Sequence, residues 1–102
     1  MPIIRKISGN SMMPHLRPGK LVLARRSSNY EAGDLIIFTH NGLEKIKRVS
    51  SFIGDSFYVL GDNLENSTDS RVFGNIDKSD ILGKVIWPIN KNKETHENIS
   101  TT

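Results

Sequence analysis

The chain contains no cysteine. Disulfide staples, thiolate nucleophiles and cysteine-built zinc sites are therefore excluded, and a reducing compartment is permitted. Long apolar runs are missing as well. The longest, 21–24 and 35–38, hold four residues each, against about 20 for a membrane-spanning helix. The opening Met1-Pro2-Ile3-Ile4-Arg5-Lys6 is too short and too soon polar to read as a secretory leader. These absences set the expectation of a cytoplasmic protein without a transmembrane segment, leaving peripheral membrane contact open. Charge of one sign is in small excess only, at +3. The basic residues are scattered, and their densest cluster (Lys45, Lys47, Arg48) lies within a strand-like run. Phe52, Phe57, Tyr58 and Phe73 are not interleaved with regularly placed cations, so nucleic acid is not expected as a partner.

What is present in quantity is short runs of Val, Ile, Leu and Phe broken by glycine and asparagine, with little sign of a 3.6-residue period. Strands are expected at about 2–7, 20–25, 34–39, 43–51, 56–60 and 81–87. Asn41-Gly42 favours a two-residue type I′ turn, which makes 35–49 a β-hairpin. Pairs at Gly19-Lys20, Gly33-Asp34, Gly54-Asp55 and Gly61-Asp62 mark further turns. Met12 to Leu16 can form one short helical turn with Ser11 in an N-cap-like position. Residues 61–74 read as a long polar loop, and loops of that length are often functional. The 102 residues make one domain with a modest core: a catalytic-size unit over 1–88 and a polar tail over 89–102, expected to be disordered for want of apolar surface. The fold class is all-β, a small curled sheet or partly open barrel.

Three segments could carry chemistry. Ser11 follows Gly9 and Asn10, which let the backbone bend, and precedes Met12, Met13 and Pro14. A serine at such a bend projects its hydroxyl outward while nearby amides can converge on an oxyanion; an ordinary turn serine reads the same. A nucleophilic serine also needs a base. Of the three histidines, His96 is in the tail, His40 at a hairpin tip and His15 only four residues from Ser11. Lysine is the remaining option. At a reference pKa near 10.4 its neutral form at pH 7 lies about 4–5 kcal/mol uphill, a deficit that burial reduces by disfavouring the charged form. Lys47, between Ile46 and Val49, is one such position. Alternation sets Lys45 on the same face, and periodicity does not choose between them. In the third segment Ser67 could hydrogen-bond the lysine amine, while Asp69 could pair with Arg71 and with Arg48 to brace the loop.

Together these segments resemble the type I signal peptidase family. Ser11-Met12-Met13-Pro14 with Leu16 and Gly19 resembles its nucleophile box. Lys47-Arg48-Val49 resembles its lysine box, and Gly61-Asp62-Asn63 with Ser67, Asp69, Ser70, Arg71 and Gly74 its C-terminal box. The resemblance spans about 8–88 and implies a serine endopeptidase with Ser11 as nucleophile and Lys47, not Lys45, as base. It further implies that Ser67 orients the lysine, that Asp69, Arg71 and Arg48 form a structural ion-pair set, and that the Ser11 backbone amide, with Asn10 beside it, serves the oxyanion. The substrate, a precursor protein, would lie extended near Gly9, Met12 and Met13. No cofactor and no metal are implied. Gly9 stands where many bacterial members have a serine, His15 where threonine is usual and Lys20 where aspartate is usual. The membrane helices and extra β-domain of typical members are not expected within these 102 residues. The chain is most similar to the compact branch that matures nickel-type superoxide dismutase, whose Ser-Thr-Asp-Ser-Arg-x-Phe-Gly stretch resembles 67–74; the nickel would belong to the substrate. Processing of exported preproteins, a fragment of a LexA-like self-cleaving regulator, and a non-catalytic β-barrel binding module are the alternatives.

Overall fold

A computed structural model describes residues 2–88; the polar tail expected from 89 lies outside them. Seven strands run β1 (Ile3–Lys6), β2 (Leu21–Arg25), β3 (Leu35–His40), β4 (Leu43–Ile53), β5 (Ser56–Leu60), β6 (Ile76–Asp77) and β7 (Ile81–Trp87). All neighbours pair antiparallel, in the order β1-β2-β7-β3-β4-β5-β6. The all-β expectation holds: the sheet is curled and not closed, with β1 and β6 as its edges. The six expected strands are all found, while β6 is too short to announce itself by alternation.

The β3–β4 hairpin turns on Asn41-Gly42, with His40 directly opposite Leu43. Both turn residues adopt positive φ, 51° and 78°, as a type I′ turn requires. Bulges at Leu23/Ala24, Ile37/Phe38 and Val49/Ser51 interrupt the ladders. Such irregularities bend a strand and increase its local twist, which lets the sheet curl until Arg5 on β1 reaches Glu44 on β4, two non-adjacent strands.

The core divides into two clusters. One gathers Ile7, Met12, Leu16, Val22 and Leu35, with Ile46 and Val85 packed against it. The other gathers Tyr30, Ile36, Phe38, Val49, Phe57, Val59, Ile76 and Ile81. Leu35 and Ile36 are sequence neighbours yet belong to different clusters, as alternation along a strand covered on both faces demands. Residues 35–38 of β3 are accordingly all buried. The expected long loop over 61–74 holds a 3-10 turn at Leu64–Asn66 and a short helix, α1 (Ser70–Phe73), capped by the Asp69 side chain.

Candidate active site

The turn carrying Ser11 hangs between β1 and β2. Its base is closed by two backbone bonds, Ile7 N–H to Lys20 C=O at 2.8 Å and Gly19 N–H to Ile7 C=O at 2.9 Å. Within it, Gly9 takes φ +78°. Met13 N–H donates to Asn10 C=O (3.2 Å) and Leu16 N–H to Met12 C=O (2.9 Å), closing hydrogen-bonded turns where a short helical turn was expected. The Met13–Pro14 peptide is cis. Met12 and Leu16 are buried in the first cluster, so the residues around Ser11 pin the turn to the core and leave the serine itself half-buried at its crest.

Lys47 sits on β4 directly opposite Ile36, and Lys45 opposite Phe38. Alternation treats the two lysines alike, but burial does not: Lys47 is 5% exposed, whereas Lys45 is half-buried. Burial pushes the Lys47 pKa below the ordinary lysine value, and the positive charges of Lys45 and Arg71 push the same way against the attraction of Asp69. The Lys47 amine is thereby moved toward the neutral form that a base needs. Ser11 and Lys47 line one cleft of about 360 Å³. Residues from β1 and the serine turn meet Glu44, Lys45, Ile46 and Lys47 of β4 in this cleft.

Behind the cleft, residues 61–71 bind the serine turn and brace it. Asn63 N–H donates to Ser11 C=O at 2.8 Å, and the Asn63 side-chain amide donates to Asn10 C=O at 3.0 Å. Gly61 is wedged between Ser67 and the Ser11 carbonyl. Asp69 is fully buried and accepts from Gly61 N–H (2.9 Å), Ser67 Oγ (2.9 Å) and the Arg71 guanidinium (2.8 and 3.0 Å). Burial alone would raise its pKa, but the bonds from Arg71, Gly61 and Ser67 outweigh that and hold it at about 2. Arg71 also caps the carbonyls of Leu64 (2.6 Å) and Ser67 (3.3 Å).

Some sequence-predicted residues meet partners that were not expected. The Ser67 hydroxyl, expected on the Lys47 amine, donates to Asp69. Arg48, expected as a second partner of Asp69, forks onto Asp62 at 2.8 and 2.7 Å and donates to Gly33 C=O at 2.9 Å. His15 Nδ1 lies 2.8 Å from the same Asp62 carboxylate without a hydrogen bond to it, a contact that becomes an ion pair only when the imidazole is protonated. Met12 lines the cleft but is fully buried, and Gly9 and Met13 are not among its lining residues. Sequence reasoning gave no role to Asn63, Asp62 or the Arg5–Glu44 bridge. The Gly-Asp-Asn triplet directly after a strand was the one local signal for the first two. Among the described residues no helix is long and apolar enough to cross a membrane.

Comparison with known proteins agrees with this geometry. The sequence pattern of the family described as Peptidase S24-like matches residues 3–86. Signal peptidase I of Leptolyngbya laminosa is 45% identical over 40 residues, covering 36% of this chain and 20% of the relative. Signal peptidase IB of Staphylococcus aureus is 52% identical over 40 residues, covering 36% of this chain and 21% of the relative. The chain thus spans about a fifth of the length of these curated relatives.

Proposed function

The chain belongs to the Peptidase S24-like family, and on that premise we propose that it is a serine endopeptidase in which Ser11 attacks and Lys47 serves as base. The observation that carries the reading is the buried, pKa-lowered Lys47 sharing one cleft with the serine of a rigidly held turn. A substrate segment enters the cleft extended and pairs with the wall by main-chain hydrogen bonds. Neutral Lys47 takes the Ser11 hydroxyl proton as Oγ attacks the scissile carbonyl carbon. Backbone amides at Ser11 and its neighbours stabilise the tetrahedral oxyanion. The ammonium of Lys47 then protonates the leaving amine, and the neutral amine later activates the water that releases the acyl group from Ser11. Ser67 acts through Asp69: its hydroxyl helps hold the carboxylate whose bond to Gly61 N–H keeps the Gly61–Asn63 segment against the serine turn.

The substrate we propose is a cytoplasmic precursor that loses a short N-terminal leader, a nickel-type superoxide dismutase precursor, on the resemblance of 67–74 to that maturation branch. Removal of signal peptides from exported preproteins is the second reading, favoured by the names of the two relatives. Purified protein is to be mixed with each precursor class and new N-termini read by mass spectrometry. Cleavage of the dismutase precursor alone supports the first, and cleavage of preproteins alone replaces it with the second. Ser11→Ala and Lys47→Met are each expected to abolish turnover with the fold intact; wild-type-like cleavage by either variant refutes the dyad.

A further inference from the structure

The cleft is asymmetric in charge. Arg5, Lys6, Lys45 and Lys47 line it, and Glu44 is the single carboxylate among its lining residues. Glu44 is already committed: Arg5 Nε and Nη2 donate to its two oxygens at 2.6 and 2.9 Å. That bridge ties β1 to β4 across the curled sheet. Lys6 and Lys45 follow Arg5 and Glu44 in sequence, so alternation turns both to the other face from the bridge, and both line the cleft. Among the described residues neither has an ion-pair or hydrogen-bond partner, and Lys45 is half-buried. Lys45 is thus a half-buried lysine without a counter-charge, two residues from Lys47. Its effect reaches the proposed base, since the Lys45 charge, after burial, does most to lower the Lys47 pKa.

We infer that Lys6 and Lys45 form a subsite for an acidic side chain of the substrate, set two to three residues from the scissile bond. The inference rests on the peptidase reading above and names a feature of the substrate. The spacing follows from strand geometry. Lys45 and Lys47 are two residues apart on one strand, about 6.6 Å along its axis, and an extended substrate in the cleft advances by the same rise per residue. A carbonyl held beside Lys47 therefore brings a substrate side chain two to three positions away level with Lys45. The bridge keeps Glu44 from neutralising either lysine. A substrate Asp or Glu supplies the missing counter-charge with charge-assisted hydrogen bonds from both walls.

The test is digestion of a peptide library prepared from a denatured proteome, with cleavage sites read by mass spectrometry, for the wild type, Lys6→Glu and Lys45→Glu. The wild type is expected to show about fivefold enrichment of Asp and Glu at one position two or three residues from the cut, the effect of one partly exposed ion pair. Both variants are expected to lose that enrichment and to favour Lys or Arg there, with preferences beside the cut unchanged. Lys6 is exposed, so its variant keeps the test open if Lys45→Glu fails to fold. Cleavage without acidic enrichment, or enrichment unchanged in Lys6→Glu, overturns the subsite and leaves the peptidase reading standing. Absence of any Ser11-dependent cleavage overturns both.

Discussion

Replacing Gly61 by alanine tests whether the serine turn is held in place by the segment behind it. Gly61 does not occupy the positive-φ region that favours glycine, so its backbone accepts a side chain and the cost is steric alone. An added Cβ would lie 2.1 Å from Ser67 Oγ, 2.5 Å from Ser67 Cβ and 2.7 Å from the Ser11 carbonyl oxygen, against 3.4–4 Å for ordinary contact. The Ser67 and Ser11 sides must therefore separate by roughly 1 Å, and overpacking of this kind costs about 1–3 kcal/mol. In a domain of this size that lowers Tm by about 5–20 °C. The same displacement moves Ser11, the proposed nucleophile, against Lys47, where about 1 Å of misplacement can cost on the order of 100-fold in rate. Thermal unfolding and cleavage of a Ser11-dependent peptide, measured on the same preparation, give the two readouts. Ser67→Gly removes two of the three clashing atoms, so Gly61→Ala is expected to cost less in that background, a coupling that a double-mutant cycle reads directly. Gly61→Ala with Tm within about 2 °C and rate within about twofold of wild type would refute the idea that the wedge sets the position of Ser11.

Two further outcomes follow from the buried charges. Asp69 titrates at about 2 when folded against an ordinary 3.8; its folded pKa is depressed, so its stabilisation is present above pH 3.8 and fades as pH falls toward 2. That is worth about 2–3 kcal/mol. Asp69→Asn is expected to lower stability at pH 7 and to flatten the loss of Tm between pH 4 and 2; an unchanged acid slope counts against the assignment. Lys47 is the opposite case, because burial disfavours its charged form. Lys47→Met is expected to raise unfolding stability at pH 7 by about 0.5–2 kcal/mol while abolishing turnover, the usual trade between a functional group and its surroundings. A destabilised Lys47→Met, measured by urea denaturation, would show that the amine contributes favourable interactions.

The strands were legible because each is marked by β-branched and aromatic residues bounded by glycine turns, and the hairpin because Asn41-Gly42 demands positive φ at two successive residues. The two-residue β6 carries no such pattern. Its place is set by Ile76 filling the second cluster and by its pairing with β5. The serine turn and the lysine strand were legible as segments. The choice of Lys47 over Lys45, however, came from the order and spacing of the boxes, since strand alternation repeats every two residues and cannot rank neighbours on one face. Burial in the folded sheet now ranks them on physical grounds. The additional partners were beyond reach for a related reason. Arg48 could meet Asp69 or Asp62 by composition, and only the direction in which the chain leaves β5 at Gly61 brings Asp62 within 2.7 Å of its guanidinium. The approach of His15 to Asp62 depends on the same turn.

Under the proposed peptidase function, the bonds from Asn63 to the carbonyls of Asn10 and Ser11 bear on when cleavage activity first appears during synthesis. Ser11 leaves the ribosome early and Lys47 well after it, but the clamp that orients the serine turn arrives only with residues 61–71. A nascent chain that already displays both the serine and the lysine still lacks the piece that aligns them. Because domains complete their packing only once their later segments have emerged, reactivity is expected to appear late and abruptly during synthesis. Under the proposed function, the order of segments along the chain would act as a built-in delay, keeping the hydroxyl unaligned until the segment behind it has folded.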